Sequence, residues 1–559
     1  MSGSVCTSGR RRAGRIKIVA NLLRVALACS AAIVWLTPAI ARAADKVTLE
    51  GSIVDAETGK PVAARLYIQA ADGQWHTAKS ADPKGEAIAY RIQRGTRSIE
   101  VHTSLSAHPF AAELEPGQYV LTVERGKEYL PSRQMVAVTA KQQSVEFKLK
   151  RWIDMSKYGW YSGETHVHRT LADLPTAMLA EDMNVAFPLT HWVTKSDTLP
   201  GRGDKNQPPV RPQLITVDPT HVIYPFNTEY EIFTVGGKSH TLGAVFAINH
   251  KQDLAYGVPP VRPVAEQVHR EGGLLELDKH NWPWSMMLVP VMKVDLYELA
   301  NNHHWRTEFL FRDFGETVPE YMGIAKRDGG MTEADWTEFG WQNYYALLNC
   351  GYRLRPTAGS ASGVHPVPLG FGRVYVHLPD GFSYDAWLAG LNAGRSFVTT
   401  GPMLFANVND ATPGATLKQT KTRESFRVWG MALSQQPLST LEIVSAGEVV
   451  KSIKPVNKPR DKGGFESPFD VEVDNIRSTW IAVRCREPDG EAKFRFAHTA
   501  PLYIDMERRP LRPRKVEVEY LVDRVESQLK RNEGVLPAAA LDEYREAATK
   551  YRELLPTAR

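Results

Sequence analysis

The 559-residue chain is poor in cysteine, with only Cys6, Cys29, Cys350 and Cys485. None of them forms a C-x-x-C pair, which excludes a thiolate zinc site and a dithiol redox motif. There is no glycine-rich phosphate loop of the Walker or dinucleotide type. Gly359-Ser-Ala-Ser-Gly363 superficially resembles a nucleophile elbow, but Ala361 stands where the serine would have to be. No apolar run reaches the ~20 residues that a membrane-spanning helix needs. Internal repeats and low-complexity tracts are absent. So is any excess of positive charge beyond the N-terminus. The formal balance of +5 owes everything to residues 1–43, which hold seven basic residues and no acidic one; the remainder has 61 basic against 63 acidic residues, or −2. This removes the electrostatic case for nucleic-acid binding.

The N-terminus has the layout of an export signal. Arg10, Arg11, Arg12, Arg15 and Lys17 precede an apolar run from about Val25 to Ile40, and Ala41-Arg42-Ala43 fits a cleavage site. The expectation is a mature chain that starts at Ala44 and is periplasmic or secreted, with no membrane contact after cleavage. The alternative is an N-terminal membrane anchor, opposed by the short run and by Pro38. Cys350 and Cys485 then remain, in different expected domains. They read as two buried free thiols, although one bridge is allowed in an oxidising compartment.

Strand and turn patterning divides the rest. Residues 44–150 alternate apolar and polar positions between Gly/Pro turns, as in Val47–Val54 and Tyr119–Val123, and predict a β-sandwich. Their pattern resembles carboxypeptidase-regulatory or transthyretin-like modules. His76, His102 and His108 there have no partner pattern and read as surface residues. Residues 151–402 alternate short apolar runs with helical stretches, which predicts an α/β layer or barrel. The strands expected are Trp160–Val167, Val185–Thr190, Gly243–Ile248, Gly273–Asp278, Val294–Leu299, Arg353–Thr357 and Gly372–His377. The segment from Ser196 to Pro219, which contains Arg202-Gly203-Asp204, reads as a long loop. Residues 403–508 predict a second sandwich, and 509–559 a tail of two amphipathic helices. The fold class expected is multidomain α/β plus all-β.

One motif carries chemistry. His166 and His168, in Gly163-Glu-Thr-His-Val-His168, are two apart, so on a strand both imidazoles point to one side and reach one ion. His191, Glu231, His240, His280 and His365 follow, each near a strand end or in the next loop, where a barrel gathers its functional groups. The metal ligands expected are His166, His168, His191, Glu231, His240 and His280, with Glu229 able to take the place of Glu231. His191 and His365 are the candidates for general acid. Asp278 and Glu298 read as groups that orient imidazoles. His303-His304 reads as a solvent-exposed helix start. Imidazole and carboxylate donors suit zinc, manganese or iron, and such ions supply hydroxide near neutral pH.

The order of these motifs resembles the polymerase-and-histidinol-phosphatase (PHP) superfamily, and more closely its exported CehA/McbA-type metallohydrolases. The resemblance rests on Gly163 to His168, Glu231 with Ser239-His240, Gly272-Gly273 to His280-Asn281, and Gly390 to Pro402. It implies a central distorted PHP-like (β/α) barrel, flanked by the two sandwiches, with a two- or three-metal centre that hydrolyses phosphate or carbamate esters. Some positions depart from the family. His191-Trp192 stands for its Asp-His, while Ala361 and Gly363 stand for the Asp and His of its Gly-Ser-Asp-x-His. One or two divalent ions are therefore expected. The function expected is hydrolysis of a phosphoester, phosphonate or carbamate-type ester in a small-molecule or glycan-linked substrate. The alternative is a catalytically degenerate protein that binds a glycan or cell-envelope partner.

Overall fold

The structure is a computed structural model that describes residues 45–96, 98–141, 143–202, 209–305, 318–324, 331–488 and 494–559. The expected signal (1–43) and Gly203-Asp204 lie outside the described residues. Residues 45–559 form one compact unit that is mixed α/β and β-rich, with five sheets and, among the described residues, seven α-helices.

The N-terminal part is two packed sheets. Val47–Asp55 lies between Gln143–Leu149 and Phe110–Leu114, and Ala64–Ala70 lies between Ile99–Leu105 and Gly117–Glu124. Alternation decides which side is buried: Leu49, Gly51 and Ile53 face inward while Glu50 faces solvent. The inward residues meet Leu66, Ile68, Leu121, Val123 and Phe147 in one core.

The central part is built from two separate hydrogen-bonded sheets. One has the order His191–Lys195, Thr228–Val235, Lys238–Ile248, Leu274–Leu277, Leu296–Ala300, Arg355–Ala358. The other runs from Ile215–Asp218 through His221–Ile223, Val185–Pro188, Trp160–Val167 and Arg373–His377 to Ser396–Thr399. This second sheet does not stop at residue 402, because Ser396–Thr399 pairs with Phe496–Thr499, Thr479–Arg486 follows, and Thr440–Ser445 and Glu448–Ile453 come next, with Leu502–Asp505 and Thr416–Lys418 branching from Thr479–Arg486. Its extension faces Met403–Val408, Glu424–Ser434 and Phe465–Asn475 across a core of Phe426, Val428, Leu441, Ile443 and Val483.

The tail helices Lys515–Asn532 and Ala538–Arg552 pack on each other and on Ser285–Met292. Val518, Leu521 and Val525 are buried there, each contributing roughly 1.5–3 kcal/mol. Tyr551 Oη donates to the Met286 carbonyl at 2.8 Å, and Arg524 to that of His280 at 2.8 Å. Cys350 and Cys485 are unbridged. Among the described residues no helix is long and apolar enough to cross a membrane.

Buried and half-buried ion pairs hold the first sandwich to the central sheets. Arg65 pairs with Glu181, and Arg125 and Arg151 both pair with Asp182 at 2.5 Å. Tyr90 donates to the carbonyl of His365, and the Gly363 amide donates to Tyr90 Oη at 3.2 Å. The sandwich thus grips the loop that follows strand Arg355–Ala358.

Several expectations change. His191 opens a strand of the other sheet, because the chain crosses over after Pro188. Glu231 and His240 lie on the two arms of a tight hairpin turning at Gly236-Gly237. His303 and His304 are buried in a short 3-10 turn. His102 is also buried, with Nδ1 2.6 Å from Glu100.

Candidate metal centre

The strand Trp160–Val167 carries His166, and His168 follows at its end. Their spacing brings Nε2 of His166 to 3.2 Å from Nε2 of His168. Glu229, on the strand Thr228–Val235 of the facing sheet, puts Oε2 3.3 Å from His168 Nε2. The three donor atoms lie within 4.8 Å of one another, and all three residues are buried. Four ligands at 2.0–2.1 Å around a tetrahedral ion are about 3.3 Å apart, so these two edges have the length of such a centre. Oε2 of Glu229 is buried without a hydrogen-bond partner. An orphaned carboxylate oxygen is costly, and a cation is the partner that this donor set fits.

The other nitrogen of His166 is already engaged. Nδ1 is 2.9 Å from Glu298 Oε1 and 3.7 Å from Asp278 Oδ1. A proton on Nδ1 donated to Glu298 leaves the Nε2 lone pair pointing at His168 and Glu229, which is how a carboxylate orients a ligating imidazole. Gly359 makes this approach feasible. A Cβ there would sit 2.1 Å from His166 Cβ and 2.3 Å from Glu298 Oε1.

The surroundings are acidic and dry. Glu276, in the strand Leu274–Leu277, accepts from Thr165 Oγ1 at 2.8 Å and from Thr357 Oγ1, and burial pushes its carboxyl up to about 8. Glu229 and Glu298 are held well above the usual carboxylate range, first by burial and then by the charges of Glu231 and Asp278 respectively. Burial pushes Glu231 up to about 7. Two cations answer these acids. Lys279 is buried and donates to both oxygens of Asp278. Arg94, in the turn after strand Ala87–Gln93 of the first sandwich, acts on Glu231 and on His365.

His166 and His168 therefore come together as the sequence suggests, with Glu229. The remaining four expected ligands enter neither grouping of converging donors among the described residues. Glu231, two residues from Glu229, is half-buried beside Trp192. His191 has Nδ1 3.1 Å from Thr190 Oγ1 and packs edge-on against Phe226. His240 has Nε2 2.7 Å from Asn532 Oδ1 on the first tail helix. His280 is buried between Trp336 and Phe339, and burial holds its imidazole well below the ordinary range. His365 stays nearby: burial, then the charges of Arg94, Lys279 and His166, push its pKa down to about 2. Ala361 occupies a left-handed backbone position, φ 50°, and is almost fully buried.

Sequence reasoning missed Lys279, Glu276 and Arg94. A signal existed for the first two. Leu274-Leu-Glu-Leu-Asp-Lys-His280 places charges inside an otherwise apolar strand, and charged residues are rarely buried without a task.

No family model matches this chain, and no curated protein does either. Among solved structures it is similar to a two-domain protein from Bacteroides vulgatus described as containing a predicted PHP-like metal-dependent phosphoesterase. The identity is 8%, the match covers 60% of this chain and 94% of that chain, and the TM-score is 0.27.

Proposed function

We propose that this chain is an exported, metal-dependent hydrolase of the PHP, CehA/McbA-like type, with its two central sheets as a distorted barrel. Its substrate would be a phosphoester, phosphonate or carbamate-type ester of a small molecule or glycan. The observation that carries the reading is the convergence of His166 Nε2, His168 Nε2 and the orphaned Glu229 Oε2 at ligand spacing. The order of motifs in the sequence supports it independently.

His166, His168 and Glu229 would hold the ion. A divalent cation there supplies Lewis acidity and activates water for attack on an ester. The other residues prepare the site. Glu298 keeps the proton of His166 on Nδ1. Glu276, locked by Thr165 and Thr357, fixes the floor between the two strands. Arg94 brings positive charge to the rim and favours an anionic group on the substrate. His365, held neutral by burial and by the neighbouring cations, would be able to accept a proton there and not to donate one to a leaving group.

The alternative of a degenerate binding protein has one observation in its favour. The loop 359–365 offers a methyl group at Ala361 and no carboxylate. Metal analysis of the purified mature chain, followed by an aryl phosphate, phosphonate and carbamate panel, tests both readings. The hydrolase requires a bound ion that is lost in the His166→Ala/His168→Ala double variant, and turnover of at least one ester class. Metal-free protein that hydrolyses none of them refutes it.

A further inference from the structure

We infer that the centre is mononuclear, and that Lys279 is the built-in cation of what would otherwise be a second ion position. The inference rests on the metal-dependent reading above and specifies the stoichiometry of that same site. Two groupings of converging donors share His166 among the described residues: one with His168 and Glu229, the other with Asp278 and Glu298. The side-chain geometry treats them differently. Each grouping has one carboxylate oxygen buried without a hydrogen-bond partner, Glu229 Oε2 in the first and Glu298 Oε2 in the second; the remaining donors set them apart. In the second, both oxygens of Asp278 accept from the Lys279 ammonium, and Nδ1 of His166 is engaged by Glu298 at 2.9 Å. An ion on Asp278 and Glu298 would have to expel a buried ammonium from its carboxylate and strip the proton from Nδ1.

Lys279 has nowhere cheap to go. Its side chain is 7% exposed and lies over the Trp282 ring at 5.7 Å. An unpaired buried ammonium is far costlier than a paired one. Its charge also acts on Glu298, Glu231, Glu229, His166, His303 and His365. A fixed ammonium supplies electrostatic stabilisation there without an exchangeable ligand.

The test is metal stoichiometry on the full mature chain. Protein saturated with zinc or manganese and freed of excess should hold one ion per chain by elemental analysis. Lys279→Met, which keeps the stem and removes the charge, should hold two; Lys279→Arg should hold one. Two or more ions in the unaltered protein overturn the inference, as does a folded Lys279→Met variant that still holds one. No ion in the unaltered protein instead sinks the metal-dependent reading itself, so the two failures are distinct. Should Lys279→Met fail to fold, the cobalt(II)-loaded unaltered protein decides. An isolated high-spin signal in electron paramagnetic resonance supports one ion, and a spin-coupled pair overturns it.

Discussion

Gly359→Ala probes the centre without touching a donor. The added Cβ would lie 2.1 Å from His166 Cβ and 2.3 Å from Glu298 Oε1, whereas non-bonded carbons rest at about 3.5–4.0 Å. The overlap of roughly 1.5 Å with His166 cannot be relieved by a rotamer change, because Cβ is fixed to the backbone of its strand. Gly359 does not need a left-handed backbone, so the substitution adds steric cost alone. Overpacking of this kind costs about 1–3 kcal/mol of stability. Pushing Glu298 off Nδ1 also removes the partner that orients the ligand, a loss of about 10–100-fold in metal affinity. Denaturant unfolding of the metal-free chain and competition against a chromophoric chelator measure the two effects separately. Gly201→Ala is the control, since a Cβ there meets nothing within 4 Å. The reasoning fails if Gly359→Ala matches the control in both assays, with affinity within twofold and an unchanged midpoint.

Glu298→Gln should weaken metal binding about 10–100-fold with His166 still in place, read by the same chelator competition. His240→Ala should leave the metal content unchanged and cost about 1 kcal/mol, the worth of its bond to Asn532; loss of metal in that variant would restore His240 as a ligand. Arg94→Ala should raise KM for an anionic ester severalfold with little change in kcat, and the effect should shrink at high salt; equal losses with a neutral ester would refute a role in charge recognition. His102, in the first sandwich, gives a pH signature. Burial, opposed by Glu100, pushes it down to about 4 from an ordinary 6.5, so the folded state holds it neutral while the unfolded chain takes up a proton. Stability from this group is present above pH 6.5 and is lost as pH falls toward 4, by about 3 kcal/mol. His102→Gln should flatten the fall of the metal-free chain's urea midpoint across that window, and an identical fall in both chains would disprove the assignment.

The secondary structure was legible wherever period and punctuation agreed. Trp160–Val167 begins and ends where its pattern does, and the helix Glu333–Asn349 starts after Thr332, whose side chain accepts from the Asp335 amide. The layering was harder to read. Alternation says which side of a strand is apolar, but not which sheet it joins. Nothing local to Pro188-Leu-Thr-His191 announces that the chain leaves one sheet and enters the other. The same limit hid the continuity of Ser396–Thr399 with Phe496–Thr499, a pairing set by contacts a hundred residues apart.

The candidate site divides along the same line. His166 and His168 were readable because both lie on one short stretch, and spacing there fixes direction. His240 and His280 were not, because their side chains are claimed by partners distant in sequence: Asn532 on the first tail helix, and the Trp336/Phe339 face of the helix Glu333–Asn349. Lys279 escaped notice for a different reason. A lysine beside an aspartate ordinarily reads as a solvated pair, and only burial gives it meaning. Glu276 and Asp278 share one side of their strand with Leu274, and the same sheet brings in Glu229 and Glu298. So many acids in one dry space cannot all ionise against Lys279 and Arg94 alone. Either most stay protonated, which leaves a weak electrophile site and an idle orphaned oxygen at Glu229, or a further positive charge arrives from outside the chain. Imidazoles already aligned at ligand spacing beside that oxygen favour the second outcome.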